Sequence, residues 1–247
     1  MNFKDHFSDN SSDYKSHRPT YPPELFKFLA DLCSKHERVW DVATGNGQAA
    51  IALANYFDHV VATDGSADQI AQTEPHDKID YKVEPAELCS LPDHSFDLIT
   101  VAQAVHWFDF ASFNAQVKRV AKPTGLIAIW GYGLIRFDDP KLDGLIRHFY
   151  NHVVHKHWPP ERAHVVAQYR TIPFPFAELS DLPKFEIRLE HSPQSLLSYL
   201  STWSGVKNYR IAEGLDPLEQ LSEKFDQLPS KSYAAHLPVM MRVGKVH

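Results

Sequence analysis

The sequence predicts an α/β fold around a mostly parallel sheet, and three observations carry that prediction. Short β-branched runs alternate with amphipathic stretches through the first half of the chain. A glycine turn, "TGNG", sits where the first run gives way to the next amphipathic stretch. The 247 residues are 43% hydrophobic, enough for one large core. Alternation at this period favours parallel strands with right-handed crossovers, because each helix buries its apolar face on the sheet it has just left.

Leu25 to Cys33, "LFKFLADLC", carries apolar residues at helical spacing and ends at the charged "SKHER". The strand-like "VWDVA", the glycine turn, a helix over Gln48 to Phe57 and the β-branched "HVVATD" follow in order. A helix around Ala67 to Thr73, a short strand near "DYKVE", the strand "FDLITVA", the helix "FASFNAQVKRVA" closed by "KPTG", and the strand "LIAIWG" continue the alternation. "KFEIRLEHS" and "LPVMMRVGKV" bring the strands to seven, with helical "PQSLLSYLSTWS" and Pro217 to Leu228 between them. Residues 132–183 break the pattern, being aromatic, histidine-rich and punctuated by proline. They read as a cap inserted over the ligand edge of the sheet. The expected division is a lid and first helix over 1–34, a ligand-binding core over 35–131, the cap over 132–183, and closing strands and helices of the same domain over 184–247.

Composition narrows the partners. Twenty-five basic residues against 31 acidic ones give a net charge of -6, with no long Lys/Arg cluster, which disfavours a nucleic-acid backbone. No stretch approaches the ~18 apolar residues of a membrane span, and the polar start holds no apolar signal core, so a cytoplasmic protein is expected. "NSS" at Asn10 then matches a glycosylation acceptor by chance. Cys33 and Cys89, the two cysteines, form no C-x-x-C pair, so neither a disulfide framework nor a cysteine zinc site is expected. His148 and His152 stand four residues apart, with His155 and His157 beyond them, but no Cys or well-placed acid completes a tetrahedral set; no metal is expected. Oligomeric state, monomer or homodimer, is open.

The glycine turn poses the question of its ligand. Gly45-Asn46-Gly47-Gln48-Ala49-Ala50 satisfies G-x-G-x-x-[GA], and Asp64 ends the next strand, so a nicotinamide oxidoreductase is one candidate. Asp41, four residues before Gly45, argues against it, since a carboxylate there repels a pyrophosphate and no Lys or Arg of the loop compensates. A ligand with an amino-acid tail brings an ammonium to that carboxylate instead. S-adenosylmethionine (SAM) has such a tail, a ribose for Asp64 and no phosphate. Alternatively, Asp41 caps the turn or helix and Asp64 is only a strand-end turn residue.

Asp41-Val42-Ala43-Thr44-Gly45-Asn46-Gly47 resembles the D-x-G-x-G-x-G motif of the class I SAM-dependent methyltransferases, with Ala43 in place of the first glycine. That replacement costs little if Ala43 keeps a negative φ. Asp64-Gly65-Ser66 resembles the family's acidic ribose-binding segment, and "EPAELCSLPDHSFDLI" the segment in which Ala86 and Glu87 flank adenine. "AQAVHWFD", "YKSHRPTYP" and "STWSGVKNY" are similar to a narrower type 11 branch that includes trans-aconitate methyltransferase-like enzymes of small molecules. The resemblance runs from Tyr14 to Val243 and implies a Rossmann-like seven-stranded sheet with helices on both faces. It implies SAM as cofactor, held by Tyr14, Arg18, Asp41, Ala43, Gly45, Gly47, Asp64, Gly65, Ala86, Glu87 and Gln103, with Arg18 in a lid reaching the cofactor carboxylate. It also implies a small-molecule acceptor at Tyr21, His106, Trp107 and Trp203.

His106 and Trp107 follow a strand at its ligand-binding end, or else form a packed core pair. Cap aromatics such as Trp158, Phe174 and Phe176 are read as core rather than substrate wall. The reaction expected is in-line displacement of the methyl group by an acceptor oxygen. A carboxylate needs no base, whereas a hydroxyl does, and His106 is then the candidate. A SAM-binding regulator without turnover is the remaining alternative.

Overall fold

The computed structural model describes residues 19–247. Five parallel strands form the first half of the sheet: β1 (Arg38–Val42), β2 (His59–Asp64), β3 (Ile79–Val83), β4 (Phe96–Ala102) and β5 (Ala121–Tyr132). β6 (Arg136–Phe137), β7 (Ala177–Glu178) and β8 (Phe185–His191) all pair antiparallel with β9 (Tyr233–Lys245), which itself lies antiparallel to β5. Among the described residues the sheet therefore has nine strands, ordered β3-β2-β1-β4-β5-β9-β6, and β9 alone runs against the rest. The seven expected strands are all there. The two additions, β6 and β7, are two residues each, too short to show a period of two, and both lie in the segment read as cap.

Alternation of side chains splits each strand between two cores. Val39, Val60, Leu98 and Trp130 face the layer built with α1 (Pro23–Asp31) and α2 (Gln48–Leu53), while Trp40, Val61, Ile99 and Ile129 face α4 (Phe110–Val120). The apolar stripe of α1, Leu25 and Leu29, and that of α4, Phe113 and Val117, are almost wholly buried on opposite faces. α3 (Ala67–Ile70) starts at Ser66, whose hydroxyl accepts from Gln69 N–H. Asp109 caps α4 by accepting from Ser112 N–H at 2.9 Å.

Three of the boundaries that differ from expectation have a local cause. α2 ends at Leu53 rather than Phe57, where Asn55 donates its side-chain amide to Ala52 and Ile51 carbonyls and competes with the helical ladder. α3 stops at Ile70 rather than running to Thr73, whose hydroxyl donates to Ile70 O at 2.8 Å. "KPTG" belongs to β5 as a bulge: Ala121 pairs with Phe96 and pairing resumes at Leu126 with Leu98. Gly125 permits it, since a Cβ there would lie 2.9 Å from Lys122 O and 3.0 Å from Phe96 O.

Buried Asp97 ties the amino ends of three strands together. It accepts from Glu37 and Arg38 N–H at 3.0 and 2.9 Å and from Lys122 Nζ at 2.8 Å. The order of strands reverses between β1 and β4, so the carboxyl ends of those two strands open the crevice in which α/β sheets hold their ligands. Among the described residues five α-helices lie beyond β5: α5 (Pro140–His148), α6 (Arg162–Val166), α7 (Pro193–Ser201), α8 (Ser204–Glu213) and α9 (Glu219–Phe225), the last leading into β9. Among the described residues no helix is long and apolar enough to cross a membrane.

Candidate active site

The glycine turn leaves β1 through backbone that L side chains rarely adopt. Ala43, Gly45 and Gly47 have φ of 51°, 59° and 86°. The condition under which Ala43 would cost little, a negative φ, is not met: the turn needs a left-handed residue there, and the methyl group is accepted at a strain of about 1–2 kcal/mol. Gly47 is demanded twice, by its φ and because a Cβ would sit 2.8 Å from Tyr81 Oη.

Asp41 is completely buried beneath this turn, its oxygens accepting from Thr44 Oγ1 at 2.5 Å and Thr100 Oγ1 at 2.8 Å. Register explains the grouping, because Asp41, Ala62, Thr100 and Tyr81 occupy one row across β1, β2, β4 and β3. Burial pushes the Asp41 carboxyl up to about 6 despite the two hydroxyl hydrogen bonds, with nearby Asp64 adding to the rise. An acid whose pKa is higher folded than unfolded binds more protons in the folded state. Asp41 therefore lowers stability as pH rises from about 4 to about 6.

Asp64, at the end of β2, accepts from Gly45 N–H at 2.9 Å and from Ser66 N–H at 2.8 Å, and so locks the turn to the β2 exit. Tyr81 Oη is buried with no hydrogen-bond partner among the described residues, directly at the Gly47 turn. A polar ligand atom over the turn would satisfy it. Ala86 is buried, and Glu87 accepts from Asp109 N–H at 3.0 Å, joining the loop after β3 to the start of α4. Tyr14 and Arg18 lie outside the described residues.

Beyond the β4 exit lies a cavity of about 470 Å³. Gln103, His106 and Trp107 form its floor, Tyr132 and Gly133 the β5 side, and Trp158 to Arg162 together with Tyr199, Trp203 and Lys207 its far wall. Trp203 packs within 5.5 Å of Trp158 and 6.0 Å of Tyr199, centroid to centroid. Gly205 makes room for this wall, since a Cβ would meet the Trp158 indole at 2.9 Å. Arg162 lies over the Trp158 ring at 4.8 Å and donates to Tyr150 Oη at 3.3 Å; among the described residues it has no carboxylate partner. Trp158 Nε1 is likewise buried without a hydrogen-bond partner among the described residues.

Of the sequence candidates for the acceptor, His106, Trp107 and Trp203 line this cavity, as does Gln103, which had been assigned to the cofactor. Tyr21 does not. It is buried in an aromatic cluster 5.8 Å from Trp130 and 6.0 Å from Tyr132, one layer behind the wall. Trp158 lines the cavity rather than belonging only to the core, whereas Phe174 and Phe176 pack against Gly244 of β9. Arg162, Lys207 and Tyr199 escaped sequence reasoning. A cation four residues after Trp158, across "PPE", was the one signal that could have found Arg162. His148 and His152 rings are 4.9 Å apart, yet among the described residues no group of three or more potential ligands could hold a metal.

Known proteins share this architecture. Residues 40–129 match the family described as "Methyltransferase domain". A Dictyostelium discoideum protein provisionally named a methyltransferase is 32% identical over 252 residues, 98% of this chain and 95% of its own. A solved structure from Anaeromyxobacter dehalogenans, provisionally named a type II methyltransferase, superposes with a TM-score of 0.86 at 38% identity, covering 93% of this chain and 98% of its own. A Saccharomyces cerevisiae protein named a probable S-adenosylmethionine-dependent methyltransferase is 29% identical over 134 residues, which is 49% of this chain and 45% of its own. With near full-length similarity on one side and, on the other, a left-handed glycine turn over a buried carboxylate, the chain belongs to the class I S-adenosylmethionine-dependent methyltransferases.

Proposed function

We propose that the enzyme methylates an oxygen of a small organic acid with a flat or apolar body, bound in the cavity beyond β4. One observation carries this reading: Arg162, a guanidinium without a carboxylate partner among the described residues, stands over Trp158 in a cavity that Trp107, Tyr132, Tyr199 and Trp203 line together with Glu161 and Lys207. A cation in such surroundings favours one compact anion, held by charge-assisted hydrogen bonds, and the rings favour a planar remainder. The cavity suits a drug-sized molecule or smaller, not a polymer. The likeness of "AQAVHWFD" to the trans-aconitate methyltransferase-like branch supports the same class.

SAM supplies an activated methyl group on a sulfonium. The residues that would hold it are Asp41 toward the ammonium, Ala43, Gly45 and Gly47 through backbone, Asp64 with Gly65 toward the ribose, and Ala86 with Glu87 beside the base. Tyr14 and Arg18, which the resemblance also assigns to the cofactor, lie outside the described residues. His106, Trp107 and Trp203 then orient the acceptor and exclude water.

The test measures S-adenosylhomocysteine formed from SAM with hydroxybenzoates, aliphatic dicarboxylates and unsaturated tricarboxylates, against their amides and methyl esters. Turnover of an acid at least tenfold above its amide is expected. Arg162→Gln should raise the KM of that acid about tenfold or more, the loss of one charge-assisted contact of ~1.5–3 kcal/mol, with SAM affinity unchanged. Equal turnover of acids and amides would remove Arg162 from recognition.

A further inference from the structure

The β4 exit carries a hydrogen-bond chain that begins with a backbone carbonyl and ends at the ring of His106. Gln103 Nε2 donates to Tyr132 O at 3.2 Å, which fixes the amide so that Oε1 faces Tyr169. Tyr169 Oη, 3.3 Å from that oxygen, must then donate to it. The same hydroxyl is 3.4 Å from His106 Nδ1, and with its proton already committed it can only accept there. Nδ1 thus carries the hydrogen, and Nε2 is the acceptor nitrogen of the ring.

The fold goes to some length to place this hydroxyl. Tyr169 is completely buried, and both it and Gln168 are left-handed, at φ of 61° and 54°. Arg242 of β9 pins the turn, donating from Nη1 to Tyr169 O and Ile172 O at 2.9 Å each while Glu178 holds its other nitrogens. Gln103 is left-handed too, at φ 55°. Gly131 is cleared for the pair, since a Cβ there would lie 2.5 Å from Gln103 Oε1 and 2.7 Å from Tyr169 Oη. Three left-handed non-glycine residues converging on one hydrogen-bonded group mark strain kept for a site rather than for packing. The Tyr169 ring also stacks on His106 at 5.9 Å and 25°.

We infer that Tyr169, oriented by Gln103, is a positioning residue that holds His106 as the Nδ1–H tautomer, so that Nε2 takes the proton of a hydroxyl group on the acceptor. This rests on the small-acid reading and narrows it: the acid is a hydroxy acid, its anionic group toward Arg162 and its hydroxyl toward His106. As the hydroxyl oxygen bonds to the methyl carbon, the sulfur keeps the electron pair of the breaking S–C bond and the O–H proton passes to Nε2. The imidazolium then returns the proton to water.

Long-range 1H–15N correlation of the histidine rings at neutral pH tests the tautomer, with His106 assigned by the signal lost in His106→Gln. Nδ1–H with a bare Nε2 is expected in the wild-type protein, and its loss to a mixture or to Nε2–H in Tyr169→Phe. An Nε2–H or doubly protonated His106 in the wild type overturns the inference, and this spectrum decides even if Tyr169→Phe does not fold. With the hydroxybenzoates as probes, Tyr169→Phe should lower kcat about tenfold or more, leaving KM and SAM affinity within twofold, and His106→Gln should lower kcat by ~10²–10⁴. Unchanged kcat in both variants, or turnover confined to acids without a hydroxyl, overturns the base assignment while the small-acid reading stands. Turnover of uncharged phenols equal to that of hydroxybenzoates, with the tautomer as stated, overturns the small-acid reading and leaves His106 as base.

Discussion

On the β1 side of the cleft, Asp41, Ala43, Gly45, Gly47 and Asp64 come from two consecutive strand exits, and the bond of Asp64 to Gly45 N–H at 2.9 Å spans 19 residues. On the β4 side, the walls of the cavity come from the β4 and β5 exits, the segment before α6, and the junction of α7 and α8. Tyr169 meets Gln103 across 66 residues of chain. The first half is thus made mainly by turn chemistry and register, with one long reach from Thr100 to Asp41 at 2.8 Å. The second exists only when distant segments dock. A cofactor common to many reactions suits the first construction, while an acceptor that differs from one enzyme to the next suits the second, where loops and insertions change without disturbing the sheet.

Substitutions on the two sides should therefore separate. The largest effect is expected for Asp64→Ala, which removes the carboxylate we assign to the ribose and also releases Gly45 N–H. SAM affinity by isothermal titration should fall about 10- to 100-fold, from ~1.5–3 kcal/mol of charge-assisted contacts, with acceptor KM little changed at saturating SAM. Loss on the acceptor side instead would break the comparison.

Gly205→Ala is the counterpart on the cavity wall. A methyl group 2.9 Å from the Trp158 indole must push that ring from its seat, at a cost of about 1–3 kcal/mol in thermal or denaturant unfolding. Acceptor KM should rise while SAM affinity stays within twofold. A simultaneous loss of SAM affinity would mean that the two halves are mechanically coupled.

Ala43→Gly should give the smallest change and the opposite sign. Relief of a left-handed alanine, about 1–2 kcal/mol, exceeds the ~0.4–1 kcal/mol that glycine adds to unfolded-chain entropy. The variant should be more stable by about 0.5–1 kcal/mol in denaturant unfolding, with SAM binding retained. A destabilised variant would show that the Ala43 methyl group has packing to lose.

The sequence by itself determined the order of strands and helices as far as β5, the position of the glycine turn, and the two carboxylates at the ends of β1 and β2. Periodicity, glycine and β-branched runs are local signals, and the elements they specify form wherever one face can be buried. Sequence also placed His106 and Trp107 at a strand exit. It left the sign of φ at Ala43 open, because a turn's handedness is set by what the chain on both sides must join. Only the tertiary structure decided the rest: the two-residue strands β6 and β7, which exist through pairing with β9, the cavity walled by Trp158, Arg162, Tyr199 and Lys207, and the place of Tyr169 against Gln103 and His106. Those contacts depend on segments far apart in the chain, and a hydroxyl between an amide and an imidazole leaves no pattern in the residues beside it.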